Sequence, residues 1–132
     1  MITVLLHRAK GVDLWKLAHQ LIADLYGCDE MLLNDAALVQ ALAHEAVASL
    51  GAEIVEECVH AFEPIGVSYI AVITSSHFSI HTWPEYGYAA VDVFSCAEKI
   101  PEALTERLAA QLHAKTRTVR QLERDLKGGG QT

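Results

Sequence analysis

The stretch from Thr74 to Cys96, TSSHFSIHTWPEYGYAAVDVFSC, constrains the fold more than any other part of the chain. In HFSIHTW, polar His77, Ser79 and His81 alternate with apolar Phe78 and Ile80, the period of two that a half-buried strand requires. Pro84 and Gly87 punctuate the connection PEYG. YAAVDVFSC then supplies strand-favouring Val, Tyr and Phe. Two strands joined by a short loop are expected. Their alternation puts His77, Ser79 and His81 on one face, so the polar groups converge.

Around this pair the chain reads as alternating strands and helices. HQLIADLY is expected as the first core strand, closed by the turn-like GCD. Asn34 or Asp35 can cap a helix on which Leu38, Ala41, Leu42, Glu45, Ala46, Ser49 and Leu50 recur at helical spacing, with Gly51 at its C-terminal end. EIVEECVHAF is a second strand, PIG a turn, and VSYIAVIT a nearly continuous apolar run suited to a central strand. Pro101 opens a second helix at its first turn, where a missing N–H costs nothing. Leu104, Leu108, Ala109 and Leu112 form its apolar stripe, and KTRTVRQLE is the last strand.

The order suggests two similar βαββ-like halves and predicts an α+β fold: a two-layer sandwich of one antiparallel β-sheet with two helices on one face. The domain is expected over residues 19–124, after an extension of unassigned role (residues 1–18) and before a flexible tail (residues 125–132). A single layer of helices leaves the other sheet face uncovered. Because VSYIAVIT and YAAVDVF are apolar on both sides, a homodimer is expected.

With 132 residues, 52% hydrophobic and 20% charged, the chain has the composition of one folded domain. A net charge of −7 without a basic cluster argues against nucleic acid or an anionic membrane surface as partner. No apolar run approaches the roughly 18 residues that span a bilayer, and MITVLLHRAKG lacks the features of a signal peptide. Cys28, Cys58 and Cys96 are odd in number and unpaired in spacing, which points to the cytoplasm.

Taken one at a time, the polar and aromatic residues have plain readings. Each cysteine alone is a small buried hydrophobe, Phe62 and Trp83 are core residues, and His44 and His113 lie on the surface. Asp92 is odd in an apolar strand and is expected to pair with a neighbour. His77 and His81 invite a zinc reading, but no third ligand has a convincing spacing, so no metal is expected.

In combination they carry a resemblance. SSHFSIHTWPEYGYAAVDVFSC, with HQLIADLYGCD and HAFEPIGVS upstream, resembles the signature of the prokaryotic S-adenosylmethionine decarboxylases, which make their own pyruvoyl cofactor by cutting the chain at a serine. The likeness extends over residues 19 to 121, and it implies the same two-layer α+β fold.

Decarboxylation of an α-amino acid leaves a carbanion, which needs an electron sink conjugated to the α-carbon. No side chain is such a sink, whereas a ketone amide joined to the substrate amine as an imine is one. The resemblance marks Ser76 as the source of that covalent pyruvoyl group, with cleavage between Ser75 and Ser76. It implies that His81 removes the α-proton during processing and that Ser68 assists by hydrogen bonding. Cys96 is implied as the acid that returns a proton to the substrate carbon. Phe62 and Trp83 would stack on the adenine, and Glu85 would accept hydrogen bonds from the ribose. The implied assembly is a homodimer of processed αβ protomers, and the implied product is the aminopropyl donor for spermidine synthesis.

The chain departs from the family pattern at Ser75, where Glu is usual, and at Tyr69, where Gly is usual. Two alternatives stay open from the residues alone: the same chemistry on arginine or ornithine, and an unprocessed regulatory homologue.

Overall fold

The computed structural model describes residues 17–74, 76–96 and 99–128. Six strands form one antiparallel sheet: β1 (Leu17–Tyr26), β2 (Ile54–Ala61), β3 (Val67–Ile73), β4 (Ser76–Trp83), β5 (Tyr88–Ser95) and β6 (Thr116–Asp125). Their order across the sheet is β2-β3-β4-β5-β1-β6. A short helix α1 (Glu30–Leu33) and a longer α2 (Ala36–Ser49) follow β1, and α3 (Glu102–Gln111) precedes β6. The expected two-layer α+β architecture is present, with α1 as an unforeseen single turn. Its cap explains it: Asp29 Oδ1 accepts hydrogen bonds from the Met31 and Leu32 amides at 2.9 and 3.1 Å. Asp35, not Asn34, caps α2 through the Leu38 amide at 3.0 Å. The first and last strands reach slightly past the 19–124 span, since β1 begins at Leu17 and β6 ends at Asp125.

The core lies between the sheet and the helices. Tyr69, Phe78, Ile80, Leu21, Leu25 and Val93 turn inward and are fully buried. They meet Val39, Ala43 and Val47 of α2 and Leu104, Leu108 and Ala109 of α3. The α3 stripe is the one expected. On α2 the buried face is rotated from the expected one: Leu42 and Ala46 are inside, but Ala41, Glu45 and Ser49 are exposed while Val39, Ala43 and Val47 are buried. The side bearing Glu45 faces the α3 rim, where its Oε1 accepts from Gln111 at 3.1 Å.

Strand register fixes which residues face outward. A one-residue slip of β4 would expose Phe78 and Ile80, each worth about 1.5–3 kcal/mol of burial. With those two inward, His77, Ser79, His81 and Trp83 must face the other way, beside Val72, Ile70 and Ser68 of β3 and Phe94, Asp92, Ala90 and Tyr88 of β5. Among the described residues, no helix covers this outer face. VSYIAVIT is thus buried only at Val67, Tyr69, Ala71 and Ile73, while Ile70 and Val72 stand about half exposed. Cys58 sits opposite Ile70 on the edge strand β2 and is exposed, so the reading of every cysteine as buried holds for Cys28 and not for Cys58. Phe62 and Trp83 are likewise exposed rather than core residues.

Candidate active site

The residues singled out in the sequence fall into two groups at opposite ends of β4. At its head, Ser76 pairs with Ile73 of β3. The β4–β5 register then brings Cys96, just past the end of β5, beside it. Ser76 Oγ and Cys96 Sγ stand 3.3 Å apart, and both residues are half-buried. Ser75 lies outside the described residues.

At the tail of β4, Ser68 and His81 are direct cross-strand partners. Ser68 Oγ lies 2.7 Å from His81 Nδ1. When Nδ1–H is donated to Ser68, Nε2 keeps the lone pair that a base requires. The Trp83 ring lies 6.4 Å from that of His81 and 5.4 Å from that of Tyr88. Tyr88 in turn donates its hydroxyl to Asp24 Oδ1 at 2.5 Å and stacks on Tyr26. The hydrogen bond to Asp24, reinforced by burial, pushes the Tyr88 phenol up to about 12. Tyr88 is therefore a neutral donor and a fixed wall for Trp83.

Glu85 projects from a single 3₁₀ turn, Pro84–Tyr86, and is exposed. Gly87 closes that turn at φ +63°, where a Cβ would come 3.2 Å from the Cys28 carbonyl. The Cys28 amide donates to the Gly87 carbonyl at 2.9 Å and ties the turn to the end of β1. Phe62 follows the last residue of β2 at the same side of the sheet, about half exposed, with its ring 4.5 Å from that of His60. Ser68, His81, Phe62, Trp83 and Glu85 are thus brought to one end of the sheet, and Ser76 with Cys96 to the other.

Between the groups runs a polar network that sequence reasoning largely missed. Asp92 pairs with His77, carboxylate to Nε2 at 3.6 Å, as its position in an apolar strand suggested. It also accepts from Gln20 Nε2 at 3.1 Å, and Gln20 Oε1 accepts from Arg124 at 2.9 Å. Gln20 lies in HQLIADLYGCD without an assigned role, and Arg124 belongs to no motif. Their only signal was their outward place in the alternation of β1 and β6.

Across the sheet on the helix side, Tyr69 donates to Glu57 Oε1 at 2.6 Å. His44 Nε2 lies 2.7 Å from the same oxygen, and Gln40 donates to the other at 3.1 Å. These bonds, that from Tyr69 foremost, hold the Glu57 carboxyl below the usual range, while burial followed by the Glu57 contact raises the Tyr69 phenol. The bulky residue at position 69 therefore fills the core beneath Ser68 and ties β3 to Glu57 of β2, which in turn holds His44 and Gln40 of α2. Among the described residues, no group of three His, Cys, Asp or Glu side chains is placed to hold a metal ion.

Comparison with known proteins gives this geometry a family. The S-adenosylmethionine decarboxylase family model matches residues 19–125. A protein of Moorella thermoacetica named S-adenosylmethionine decarboxylase proenzyme is 47% identical over 104 residues, covering 74% of this chain and 83% of that protein. One of the same name from Clostridium tetani is 40% identical over 111 residues, covering 83% and 88%. The crystal structure of the adenosylmethionine decarboxylase from Aquifex aeolicus VF5 superposes with a TM-score of 0.75 at 30% identity, covering 84% of this chain and 92% of that one. The chain belongs to the S-adenosylmethionine decarboxylase family.

Proposed function

We propose that this chain is a self-processing, pyruvoyl-dependent decarboxylase of S-adenosylmethionine that releases the aminopropyl donor for spermidine synthesis. The observation that carries the reading is the 3.3 Å approach of Ser76 Oγ and Cys96 Sγ. It sets the hydroxyl that would build the cofactor beside the thiol that would serve the reaction. The curated relatives are named as proenzymes, in keeping with a chain that is cut before it works.

In processing, Ser76 Oγ attacks the carbonyl carbon of residue 75, the amide C–N bond breaks, and the chain is held by an ester. His81 then removes the α-proton of residue 76, and the carboxylate of residue 75 leaves. Water hydrolyses the dehydroalanine that remains, ammonia departs, and a pyruvoyl group heads the chain that starts at position 76. Its carbonyl supplies the electron sink that takes up the pair left behind by CO₂. Cys96, 3.3 Å from Ser76 Oγ, would return a proton to the substrate α-carbon, and Ser68, 2.7 Å from His81 Nδ1, would orient that ring. Phe62 and Trp83 offer faces to a purine and to a sulfonium, and Glu85 offers acceptors to ribose hydroxyls. These three residues favour the nucleoside substrate over arginine or ornithine.

The geometry also supports a homodimer. Ser76 and His81 are separated along an extended strand by about 16 Å at ~3.3 Å per residue, so one copy cannot close its own site. A second copy packed against the half-exposed Ile70, Val72 and Leu122 would bring its Ser68–His81 pair toward Ser76 and Cys96 of the first. Free Cys28, Cys58 and Cys96 suit a reducing compartment, the cytoplasm, and no helix among the described residues is long and apolar enough to cross a membrane.

The test is release of labelled CO₂ from carboxyl-labelled S-adenosylmethionine by the purified protein, beside arginine and ornithine. Release from S-adenosylmethionine alone is expected. No release by fully cleaved protein would overturn the reading.

A further inference from the structure

The turn that carries Phe62 is held from behind by a side chain that no motif includes. Phe62 closes the turn with its amide donating to the Gly66 carbonyl at 2.8 Å. The Gly66 amide points the other way and donates to Asn34 Oδ1 at 2.8 Å, across 32 positions of sequence. Gly66 itself is buried and adopts φ +114°. A Cβ there would stand 3.9 Å from the Phe62 ring edge and 3.4 Å from the Thr82 carbonyl, which is bonded to the Trp83 nitrogen. Gly66 thus lies between Phe62 and the end of the strand that carries Trp83.

The neighbouring residue makes a matching tie. Leu33 uses its carbonyl to accept the Thr82 hydroxyl at 2.8 Å, and Thr82 Oγ1 also accepts the Val67 amide at 2.9 Å. The end of α1 therefore grips both segments that present the exposed aromatic rings: the Phe62–Gly66 turn through Asn34, and the tail of β4 through Leu33.

We infer that Asn34 is a positioning residue for substrate, acting through Gly66 to hold the Phe62 ring at a fixed distance from Trp83. This rests on the reading of Phe62 and Trp83 as the faces that take up the adenine. An exposed ring contributes to binding in proportion to how well its place is set beforehand, because ordering it on binding costs free energy. Without the Asn34 carbonyl oxygen, the buried Gly66 amide loses its partner and must turn toward water. The Phe62 turn then loosens, while Ser76, Cys96, Ser68 and His81 keep their own contacts. Binding should suffer and chemistry should not.

Asn34→Ala, Asn34→Asp and Phe62→Ala would each be purified after processing and assayed for kcat, KM for S-adenosylmethionine, fragment yield and melting temperature. Asp keeps an acceptor at the position, so it separates the hydrogen bond from the mere presence of Asn. Asn34→Ala should raise KM about fivefold or more, the scale of one lost hydrogen bond, with kcat and fragment yield within about twofold of wild type. Asn34→Asp should restore KM to within about twofold of wild type. If Phe62→Ala raises KM but Asn34→Ala does not, or if Asn34→Asp is as impaired as Asn34→Ala, the positioning role is wrong and the nucleoside reading stands. If Phe62→Ala leaves KM unchanged, the stacking reading itself fails and takes this inference with it.

Discussion

Ser76 and His81 occupy opposite ends of the same strand, β4, so the serine that would form the cofactor and the histidine that would process it cannot meet within one copy. Each has its own partner close by: Cys96 Sγ at 3.3 Å from the serine and Ser68 Oγ at 2.7 Å from the histidine. A dimer with shared sites resolves the separation and predicts complementation. Ser76→Ala and His81→Ala homodimers should each remain uncleaved or stalled. Co-expressed, they should form mixed dimers in which the His81→Ala chain is cut, because its intact Ser76 meets the His81 of its partner. Differentially tagged chains on a denaturing gel report which one is cut. A His81→Ala chain that stays uncut in the mixed dimers would contradict shared sites.

Cofactor formation and turnover should separate by residue. His81→Ala should accumulate full-length chain or stalled ester, and hydroxylamine should cleave the ester. Cys96→Ala should still be cut, since its thiol is not needed for the acyl shift, yet lose about 10²-fold or more of CO₂ release per processed chain, the usual reach of a positioned acid. Wild-type release from Cys96→Ala would remove it from the role of acid.

The Tyr69–Glu57–His44 cluster predicts a pH signature of stability. The Glu57 carboxyl is held low in the folded chain, chiefly by the Tyr69 hydroxyl. Its contribution is therefore complete above the unfolded carboxylate value and is lost as pH falls through the folded one. Tyr69→Phe should lower the melting temperature at neutral pH, and the gap to wild type should narrow as the solution is acidified through that window. A carbon-detected titration should find the Glu57 carboxyl shifted upward in the variant. A gap that stays constant across the acid range would show that the tie contributes nothing through Glu57.

Much of this molecule was legible in the sequence because its central strands β3, β4 and β5 alternate. Phe78 and Ile80 against His77, Ser79 and His81 fixed both the strand and its outward face, and the structure follows that reading residue by residue. Leu104, Leu108, Ala109 and Leu112 marked the buried stripe of α3 equally well. The α2 face was harder, because small and apolar residues surround that helix and its buried side is decided by where Val39 and Val47 meet the sheet. Cys58 illustrates a different limit: burial depends on which strand lies at the edge, and strand order is not written in local pattern. The separation of Ser76 from His81 could be counted along the strand, and the sheet keeps β4 extended over that length. The tie from Asn34 to Gly66 links residues far apart in sequence, where no periodicity reaches.

The central claim, that this chain cuts itself to make its own electron sink, is tested most directly by the intact mass of the freshly purified protein. Two components are expected in equal amount, residues 1–75 with a free carboxyl end and residues 76–132 beginning with a pyruvoyl group and closed to Edman degradation. Ser76→Ala, prepared in parallel, should give a single full-length mass. A single full-length mass for the wild-type chain after prolonged incubation would contradict the account.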